Sequence, residues 1–211
     1  MGGWALVIPV KRLAVAKSRL SDFAGAYRAD LALAFAADTL AAARACPEVI
    51  GIAVVTDDES VAVLARSLGC RPVPDEPNAG LNHALSHGAA VANQQWPDSL
   101  LGALSSDLPA LRPDELAVAL REAGRALSAF VTDADGRGTT LLTAATAAAF
   151  APRFGAGSAA AHRRGGAVEL AGIDVPSLRR DVDTSADLEI ARQLGVGDRT
   201  RTVLADLAAG R

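Results

Sequence analysis

The chain has 211 residues, of which 50% are hydrophobic and 21% charged, and its formal net charge is −3 at pH 7. A chain of this length and apolar content can bury the core of one substantial domain, which excludes an intrinsically disordered protein. We expect neither a membrane span nor a signal peptide, because no apolar run is long enough or suitably flanked, and the negative charge argues against general binding of nucleic acid.

Strand-like and helix-like segments alternate along the first half of the chain. Apolar runs rich in β-branched residues predict strands over 4–10, 49–56, 71–74 and 100–105. Helical spacing, Pro and Gly stops and cap residues predict helices over 28–45, 60–68, 80–93 and 113–126. Repeated β-α-β units of this kind predict a mostly parallel, Rossmann-like α/β sheet with helices on both faces.

The pattern becomes irregular after residue 128. Two short strands around a Gly/Asp turn are predicted first, followed by a glycine-rich loop, a short basic helix and another strand. The segment LRRDVDTSADLEIARQLGV predicts a strand, a turn and a capped helix. Since the chain contains no repeat and no flexible linker, we predict one nucleotidyltransferase-like domain over 1–198 and a C-terminal tail over 199–211.

A basic segment follows the first predicted strand and contains Lys11, Arg12, Lys17 and Arg19. In open α/β sheets ligands bind beyond the carboxyl ends of the strands, so this segment is a candidate binding site for a polyphosphate. A solvated charged loop is the alternative. The chain lacks the glycine-rich patterns of a P-loop and of a dinucleotide-binding fold.

Carboxylates stand at the ends of two other predicted strands. Asp107 follows the strand over 100–105, and Pro109 prevents that strand from continuing. Asp181 and Asp183 alternate along the last predicted strand, so they are expected on opposite faces. A carboxylate beside a polyphosphate is a typical Mg²⁺ ligand, although Asp107 could equally cap a turn and Asp183 could belong to a helix cap.

Two small-residue turns offer hydroxyl groups and backbone amides. One contains Thr139, and the other contains Gly155 and Ser158 and opens a helix that carries His162 and two arginines. A helix N-terminus with nearby guanidinium groups can receive a phosphate or carboxylate, and a flexible surface loop is the alternative. His162 could act as a base, but the three histidines of the chain are scattered, which suits no metal cluster and favours a surface position.

Six segments, taken in order over about residues 4–197, resemble the guanylyltransferases of coenzyme F-420 biosynthesis. These segments are IPVKRLAVAKSRL, GLNHAL, SSDLPAL, GRGTT, PRFGAGSAAAH and RRDVDTSADLEIARQLGVG. The likeness is greatest to the bacterial phosphoenolpyruvate type, in PRFG and the following HRR. The resemblance implies a nucleotidyltransferase fold of the glycosyltransferase-A type, shared with the nucleotide-diphospho-sugar transferases.

The resemblance also implies a set of residues for each ligand. The residues implied for GTP are Lys11, Lys17, Arg19 and Asn82. The residues implied for the phosphorylated acceptor are Thr139, Gly155 and Ser158. Mg²⁺ is implied on Asp107 and Asp183, and the catalytic roles fall to Asp107 and Lys17.

Two departures from the family pattern affect these assignments. Ser106 stands where many relatives have glycine before the aspartate, which narrows the approach of the nucleotide to the backbone. The interval from Thr139 to Gly155 is one residue longer than in close relatives, so Thr140 is the alternative to Thr139. Asp181 remains the alternative to Asp183 as metal ligand.

The predicted activity is transfer of GMP from GTP to phosphoenolpyruvate or 2-phospho-L-lactate with release of diphosphate, with a downstream lactate-transferring enzyme as a possible partner. The alternatives are another small phosphorylated acceptor, such as 3-phospho-D-glycerate, and a non-catalytic GTP-binding domain. The molybdopterin and sugar-phosphate nucleotidyltransferases are disfavoured because their GGxGxR loop is absent. Cys46 and Cys70 lack metal-ligand spacing and indicate reduced thiols in a cytoplasmic protein.

Overall fold

The computed structural model describes residues 2–13, 17, 20–76 and 78–210. Its strands are β1 (Trp4–Pro9), β2 (Val49–Val55), β3 (Arg71–Val73), β4 (Leu100–Leu104), β5 (Ser128–Thr132), β6 (Thr139–Ala144) and β7 (Val168–Glu169). Its α-helices are α1 (Ser21–Ala24), α2 (Arg28–Ala45), α3 (Glu59–Ser67), α4 (Leu81–Gln95), α5 (Pro113–Ala123), α6 (Ser158–Arg164), α7 (Pro176–Arg179), α8 (Ser185–Leu194) and α9 (Asp198–Ala208).

The strands of the described residues form one seven-stranded sheet in the order β3-β2-β1-β4-β6-β5-β7. Strands β1 to β4 pair in parallel, and β7 runs parallel to β5. Only β6 is antiparallel to its neighbours, β4 and β5, among the described strands. The prediction of a mostly parallel α/β sheet is therefore confirmed.

Both faces of the sheet are covered by helices, because the parallel strands are apolar on both sides. Leu6 and Ile8 of β1 point into the core shared with α2 and α5. Ala5 and Val7 point to the opposite face, where they pack against the apolar side of α4. Alternate residues of one strand thus contribute to two cores, as the period of a strand requires.

The reversed direction of β6 brings its first residues to the edge of the sheet where β1 and β4 end. Leu104 pairs with Leu141, and the N–H of Ser105 donates to the carbonyl of Thr140 at 2.8 Å. A register shift between Val131 and Thr132 marks the same end of β6. The start of β6 therefore lies beside the segment that leads from β4 to Asp107.

The prediction of a strand at Asp181 and Asp183 is wrong. Residues 180–183 belong to the connection between α7 and α8 and to no strand of the described sheet. The Val182 N–H donates to the carbonyl of Asp107 at 3.0 Å, and the Asp183 N–H donates to Asp187 of α8. The main-chain N–H groups of this segment donate to a loop carbonyl and to the carboxylate of a helix cap, so no strand ladder forms.

Residues 198–208 form α9, which packs along α2. Both carboxylate oxygens of the buried Asp38 on α2 accept hydrogen bonds from the first turn of α9, from Arg199 N at 3.1 Å and Thr200 N at 2.8 Å. These are orphan donors of a helix N-terminus, and a negative charge there is favourable. The helix is thereby fixed to the body of the domain.

Candidate active site

A cleft of about 370 Å³ opens at the carboxyl ends of β1 and β4. Its lining includes Val10 and Lys11 after β1, Ser106 and Asp107 after β4, and Phe154 from the segment before α6. This is the position at which open α/β sheets bind their ligands, because the loops that leave the strand ends diverge there. The basic segment, the strand-end carboxylates and the glycine-rich segment before α6 all contribute to this cleft.

Lys17, Asp107 and Asp183 meet in the cleft although they are distant in sequence. The Lys17 Nζ donates to Asp183 Oδ1 at 2.8 Å and also contacts Asp107 Oδ2. The Lys17 side chain is only 12% exposed, whereas the Asp107 and Asp183 side chains are 23% and 53% exposed. Two carboxylates from separate segments therefore converge on one cationic group.

Counted over the described side chains alone, the charge balance of this cluster is negative. Burial opposes the charged form of Lys17, but the attraction of Asp107 and Asp183 outweighs burial, and the pKa of the ammonium is raised. Burial, together with repulsion from Asp107, Asp183 and Asp133, raises the pKa of Asp181 to about 7. A cluster with more carboxylates than ammonium groups attracts a further cation.

The donor set fits a hard cation that keeps most of its ligands from water and substrate. Within the described ranges no group of three or more His, Cys, Asp or Glu side chains could hold a metal ion by itself. Asp107 and Asp183 nevertheless converge on one point, the Lys17 ammonium. Mg²⁺ is typically bound through one or two carboxylates plus phosphate oxygens and waters, so this pair is a suitable site.

Part of the basic segment after β1 is held in place by the loop that follows β2. Asp58 caps α3 by accepting from Ser60 N at 3.0 Å, and its second oxygen accepts from Leu13 N at 3.0 Å. Arg12 forms an ion pair with Asp57 at 3.7 Å. The hydrogen bond from Leu13 of the basic segment to Asp58 has no signal in the sequence, which indicates only the helix cap.

The predicted GTP residues of this segment have different outcomes. Lys11 is exposed and lines the cleft, and Lys17 lies inside it. Arg19 lies outside the described residues, so its contact with GTP stays a prediction.

Asn82, the fourth residue predicted for GTP, binds the protein main chain. Its Nδ2 donates to the Phe154 carbonyl at 3.0 Å, and its Oδ1 accepts from the Phe154 N–H at 2.7 Å. Because Phe154 lines the cleft, Asn82 fixes one wall of the cleft from the start of α4. Its contact with the base or ribose of GTP stays a prediction.

The three residues predicted for the acceptor lie on β6 and around the start of α6. Gly155 is exposed with a φ of +127°, a conformation that favours glycine, and its carbonyl accepts from Ser158 N at 3.1 Å. Thr139 is nearly buried, and its Oγ1 lies 2.9 Å from His162 Nδ1. The alternative residue, Thr140, is buried, and no described group bonds its Oγ1.

The prediction of a surface position for His162 is wrong, because its side chain is 1% exposed. Its Nε2 accepts from the Arg153 N–H at 2.9 Å, and its ring packs edge-on against Phe154. Burial and the charge of Arg153 lower the pKa of His162 to about 4. The residue connects β6 to the segment before α6, and it is a functional candidate whose burial the sequence pattern did not indicate.

The fold is that of the nucleotide-diphospho-sugar transferases and related nucleotidyltransferases. The chain matches a crystal structure of a protein described as a nucleotide-diphospho-sugar transferase from Desulfovibrio desulfuricans G20 with a TM-score of 0.72, and the match covers 99% of this chain and 96% of the other. The two sequences are 19% identical, so this likeness shows the fold alone.

Residues 4–208 match the family model described as "Guanylyl transferase CofC like", and the chain belongs to that family. It is 56% identical to the phosphoenolpyruvate guanylyltransferase of Streptomyces coelicolor, over 97% of each chain. It is 52% identical to the phosphoenolpyruvate guanylyltransferase of Thermomonospora curvata, over 98% of this chain and 90% of the other. The predicted family and the predicted class of enzyme, a nucleotidyltransferase, are therefore confirmed.

Proposed function

We propose that the chain transfers GMP from GTP to phosphoenolpyruvate and releases diphosphate, as a step of coenzyme F-420 biosynthesis. The observation that carries the proposal is the convergence of Lys17, Asp107 and Asp183 in a cleft at the ends of β1 and β4. The names of the relatives at 56% and 52% identity support the acceptor.

The triphosphate of GTP binds along the basic side of the cleft in this proposal. Lys11 and Lys17 pair with phosphate oxygens, and Arg19 completes the set. Asp107 and Asp183 would hold Mg²⁺, which, when bound, neutralises charge on the phosphate oxygens and on the departing diphosphate. Lys17 must then leave its carboxylate partners, and the triphosphate offers its ammonium group new anionic oxygens.

The reaction is an exchange at the α-phosphorus of GTP. An oxygen of the acceptor phosphate forms a bond to this phosphorus, and the bond from the phosphorus to the oxygen bridging to the β-phosphate breaks. The electron pair of that bond leaves with diphosphate. An ionised phosphate is already nucleophilic, so the chain needs no general base and contributes by positioning and by compensating charge.

In this proposal the acceptor binds beside the cleft, at the start of β6 and at the segment before α6, of which Phe154 lines the cleft. Thr139 or Thr140 supplies a hydroxyl group, while Gly155 and Ser158 supply a close backbone approach and a second hydroxyl. The short distance between Ser105 N and Thr140 O, 2.8 Å, supports this arrangement, since Ser105 is close in sequence to Asp107. 2-Phospho-L-lactate and 3-phospho-D-glycerate are the competing acceptors, and few contacts separate them from phosphoenolpyruvate.

The test is a competition assay with purified protein, GTP, MgCl₂ and the three acceptors together. Diphosphate release is followed, the product is identified by mass spectrometry, and a downstream lactate-transferring enzyme traps labile product. We expect a guanylylated phosphoenolpyruvate and a loss of at least about 100-fold in kcat for Asp107→Asn, in line with removal of one electrostatic group at a reacting centre. GTP binding without diphosphate release would instead indicate a non-catalytic domain.

The exposed Asp30 of α2 provides a matched control for this assay. Asp30→Asn removes the same charge outside the cleft, so its kcat should equal that of the unmodified chain. If Asp107→Asn retained most of the guanylyl transfer, the assignment of the cleft as the active site would be wrong.

Among the described residues no helix combines the length and apolar character needed to cross a membrane. We further propose that the protein acts in the cytoplasm. Cys46 and Cys70 support this, since both are free and buried, as thiols usually are in a reducing compartment.

A further inference from the structure

We infer that His162 is a positioning residue for the acceptor, because it joins Thr139 to the segment before α6 and fixes the direction of the Thr139 hydroxyl hydrogen. The inference rests on the proposed function, in which these two parts of the chain bind phosphoenolpyruvate. It assigns a role to a buried polar side chain that the phosphate chemistry itself does not use.

The His162 side chain bonds two segments that the fold brings together from different parts of the sequence. Its Nδ1 lies 2.9 Å from the Oγ1 of Thr139, which is 23 residues away. Its Nε2 lies 2.9 Å from the backbone N of Arg153, which is nine residues away. The imidazole is 1% exposed, so both bonds are shielded from water.

The hydrogen-bond partners determine which ring nitrogen carries the proton. A backbone N–H can only donate, so His162 Nε2 must accept the bond from Arg153. Burial favours the neutral ring, in which exactly one nitrogen is protonated, and that nitrogen is then Nδ1. The Nδ1–H therefore donates to Thr139 Oγ1.

The Thr139 hydroxyl accepts from His162, so its own hydrogen has to point elsewhere. A hydroxyl carries one donor and two acceptor positions, and the structure gives this group no second partner among the described residues. The hydroxyl hydrogen is free to donate to a phosphate or carboxylate oxygen of the acceptor. His162 thus turns Thr139 into a donor, the form that an anionic acceptor requires.

The same imidazole also fixes the segment that leads to Gly155 and Ser158. Arg153 is held by the bond to Nε2, and the next residue, Phe154, packs on the ring with a centroid distance of 5.1 Å and an interplanar angle of 73°. Asn82 binds the main chain of Phe154 through two hydrogen bonds. The segment is therefore anchored by His162 and by Asn82 directly before Gly155.

Two conservative substitutions separate the two bonds of His162. In His162→Gln the amide oxygen reaches the position of Nε2 and accepts from Arg153, but nothing replaces the donor to Thr139. In His162→Asn the shorter amide reaches the position of Nδ1 and donates to Thr139, but the bond to Arg153 is lost. The exposed His83 of α4 gives the matched control, His83→Gln.

We expect His162→Gln to raise the KM for phosphoenolpyruvate about tenfold, the equivalent of one hydrogen bond to a charged group, and to leave the KM for GTP within about twofold. His162→Asn should keep the KM for phosphoenolpyruvate closer to that of the unmodified chain, and His83→Gln should change neither constant. A purely structural histidine would instead lower the melting temperature in both variants while both KM values stay unchanged, which would overturn the inference.

Thr139→Val tests the same bond without altering His162, should either histidine variant fail to fold. It should raise the KM for phosphoenolpyruvate as much as His162→Gln, and the double variant should add nothing, because the two changes remove one interaction. An unchanged KM in Thr139→Val overturns the inference and indicates Thr140 as the contact. Absence of any turnover by the unmodified chain would refute the proposed function itself, a different result.

Discussion

Replacing Lys17 by methionine should destabilise the protein without Mg²⁺ and strengthen its binding of Mg²⁺. The ammonium group now lies between Asp107 and Asp183, where a metal ion would be held. Methionine keeps much of the volume and apolar length of the lysine side chain while removing its charge. The substitution therefore removes the ammonium group that now lies between the two carboxylates.

The magnitude follows from the exposure of each partner. The bond to Asp107, whose side chain is 23% exposed, contributes about 1.5–3 kcal/mol as a charged hydrogen bond, and the burial of the ammonium offsets part of this. The contact with Asp183, whose side chain is 53% exposed, adds no more than about 0.5 kcal/mol after screening by solvent. We expect a net loss of about 1–2 kcal/mol in the free energy of unfolding.

A metal ion that binds the unmodified protein must first displace the Lys17 ammonium group. Its binding is therefore weakened by the free energy that the bonds of Lys17 contribute. In Lys17→Met this competition is absent, so the dissociation constant for Mg²⁺ should fall by about tenfold, the equivalent of 1.4 kcal/mol. Isothermal titration calorimetry with MgCl₂ measures the constant, and urea unfolding in the presence of a chelator measures the stability. Catalysis should decrease, since the proposed contact of Lys17 with the triphosphate is lost.

Lys11→Met is the matched control, because Lys11 lines the same cleft but is exposed and has no described bond to either carboxylate. It should alter the affinity for Mg²⁺ by no more than about twofold, as expected for a screened charge. The reasoning is refuted if Lys17→Met binds Mg²⁺ as weakly as the unmodified chain, or more weakly.

Three further predictions concern stability. Asp38→Ala should lower the free energy of unfolding in urea by about 2 kcal/mol, because two N–H groups of α9 lose their acceptor, and a loss no larger than the roughly 0.5 kcal/mol expected for Asp30→Ala would contradict this. The pKa of His162 is lowered to about 4, so its contribution to the free energy of unfolding should fall by about 2 kcal/mol from pH 7 to pH 5, as the unfolded ring takes up a proton that the folded ring excludes. The raised pKa of Asp181 changes stability in the opposite direction over this range, so the contribution of His162 is measured as the difference in slope between the unmodified chain and His162→Asn. Equal slopes for the two chains argue against a neutral ring. Gly88→Ala should lower the melting temperature, since a Cβ would lie 2.5 Å from valines of β1 and β2, and an unchanged value would show that α4 moves freely.

The elements with one dominant local signal could be predicted closely. The helix predicted over 28–45 has these bounds in the structure, because an Ala/Leu run of helical spacing meets Pro47 shortly after its end. The alternation of Asp181 and Asp183 lacks such a signal. An extended loop shows the same alternation as a strand, and only the partner of the main chain, the Asp107 carbonyl for Val182, distinguishes them.

The convergence of Lys17 and Asp107 was predictable from the parallel arrangement of β1 and β4, whose carboxyl ends meet at one edge. The position of Thr139 was not, because it depends on the direction of β6. A parallel β6 would have placed its first residue at the opposite edge of the sheet, far from Asp107. The short connection between β5 and β6 requires an antiparallel pair, but the insertion of β6 beside β4 is a long-range feature without a local pattern.

His162 was misjudged because it begins the basic run HRR, which is typical of a solvated helix end. A different signal was present in the same helix. Ser158 and His162 are four residues apart and share a face of α6, and both are buried while Arg163 and Arg164 are exposed. A histidine that shares a helix face with a residue predicted to bind the acceptor is expected to be buried beside the acceptor site. A buried imidazole needs hydrogen-bond partners for both ring nitrogens. Those partners are then expected from the segments that bind the acceptor, as Thr139 and the main chain before Gly155 are here.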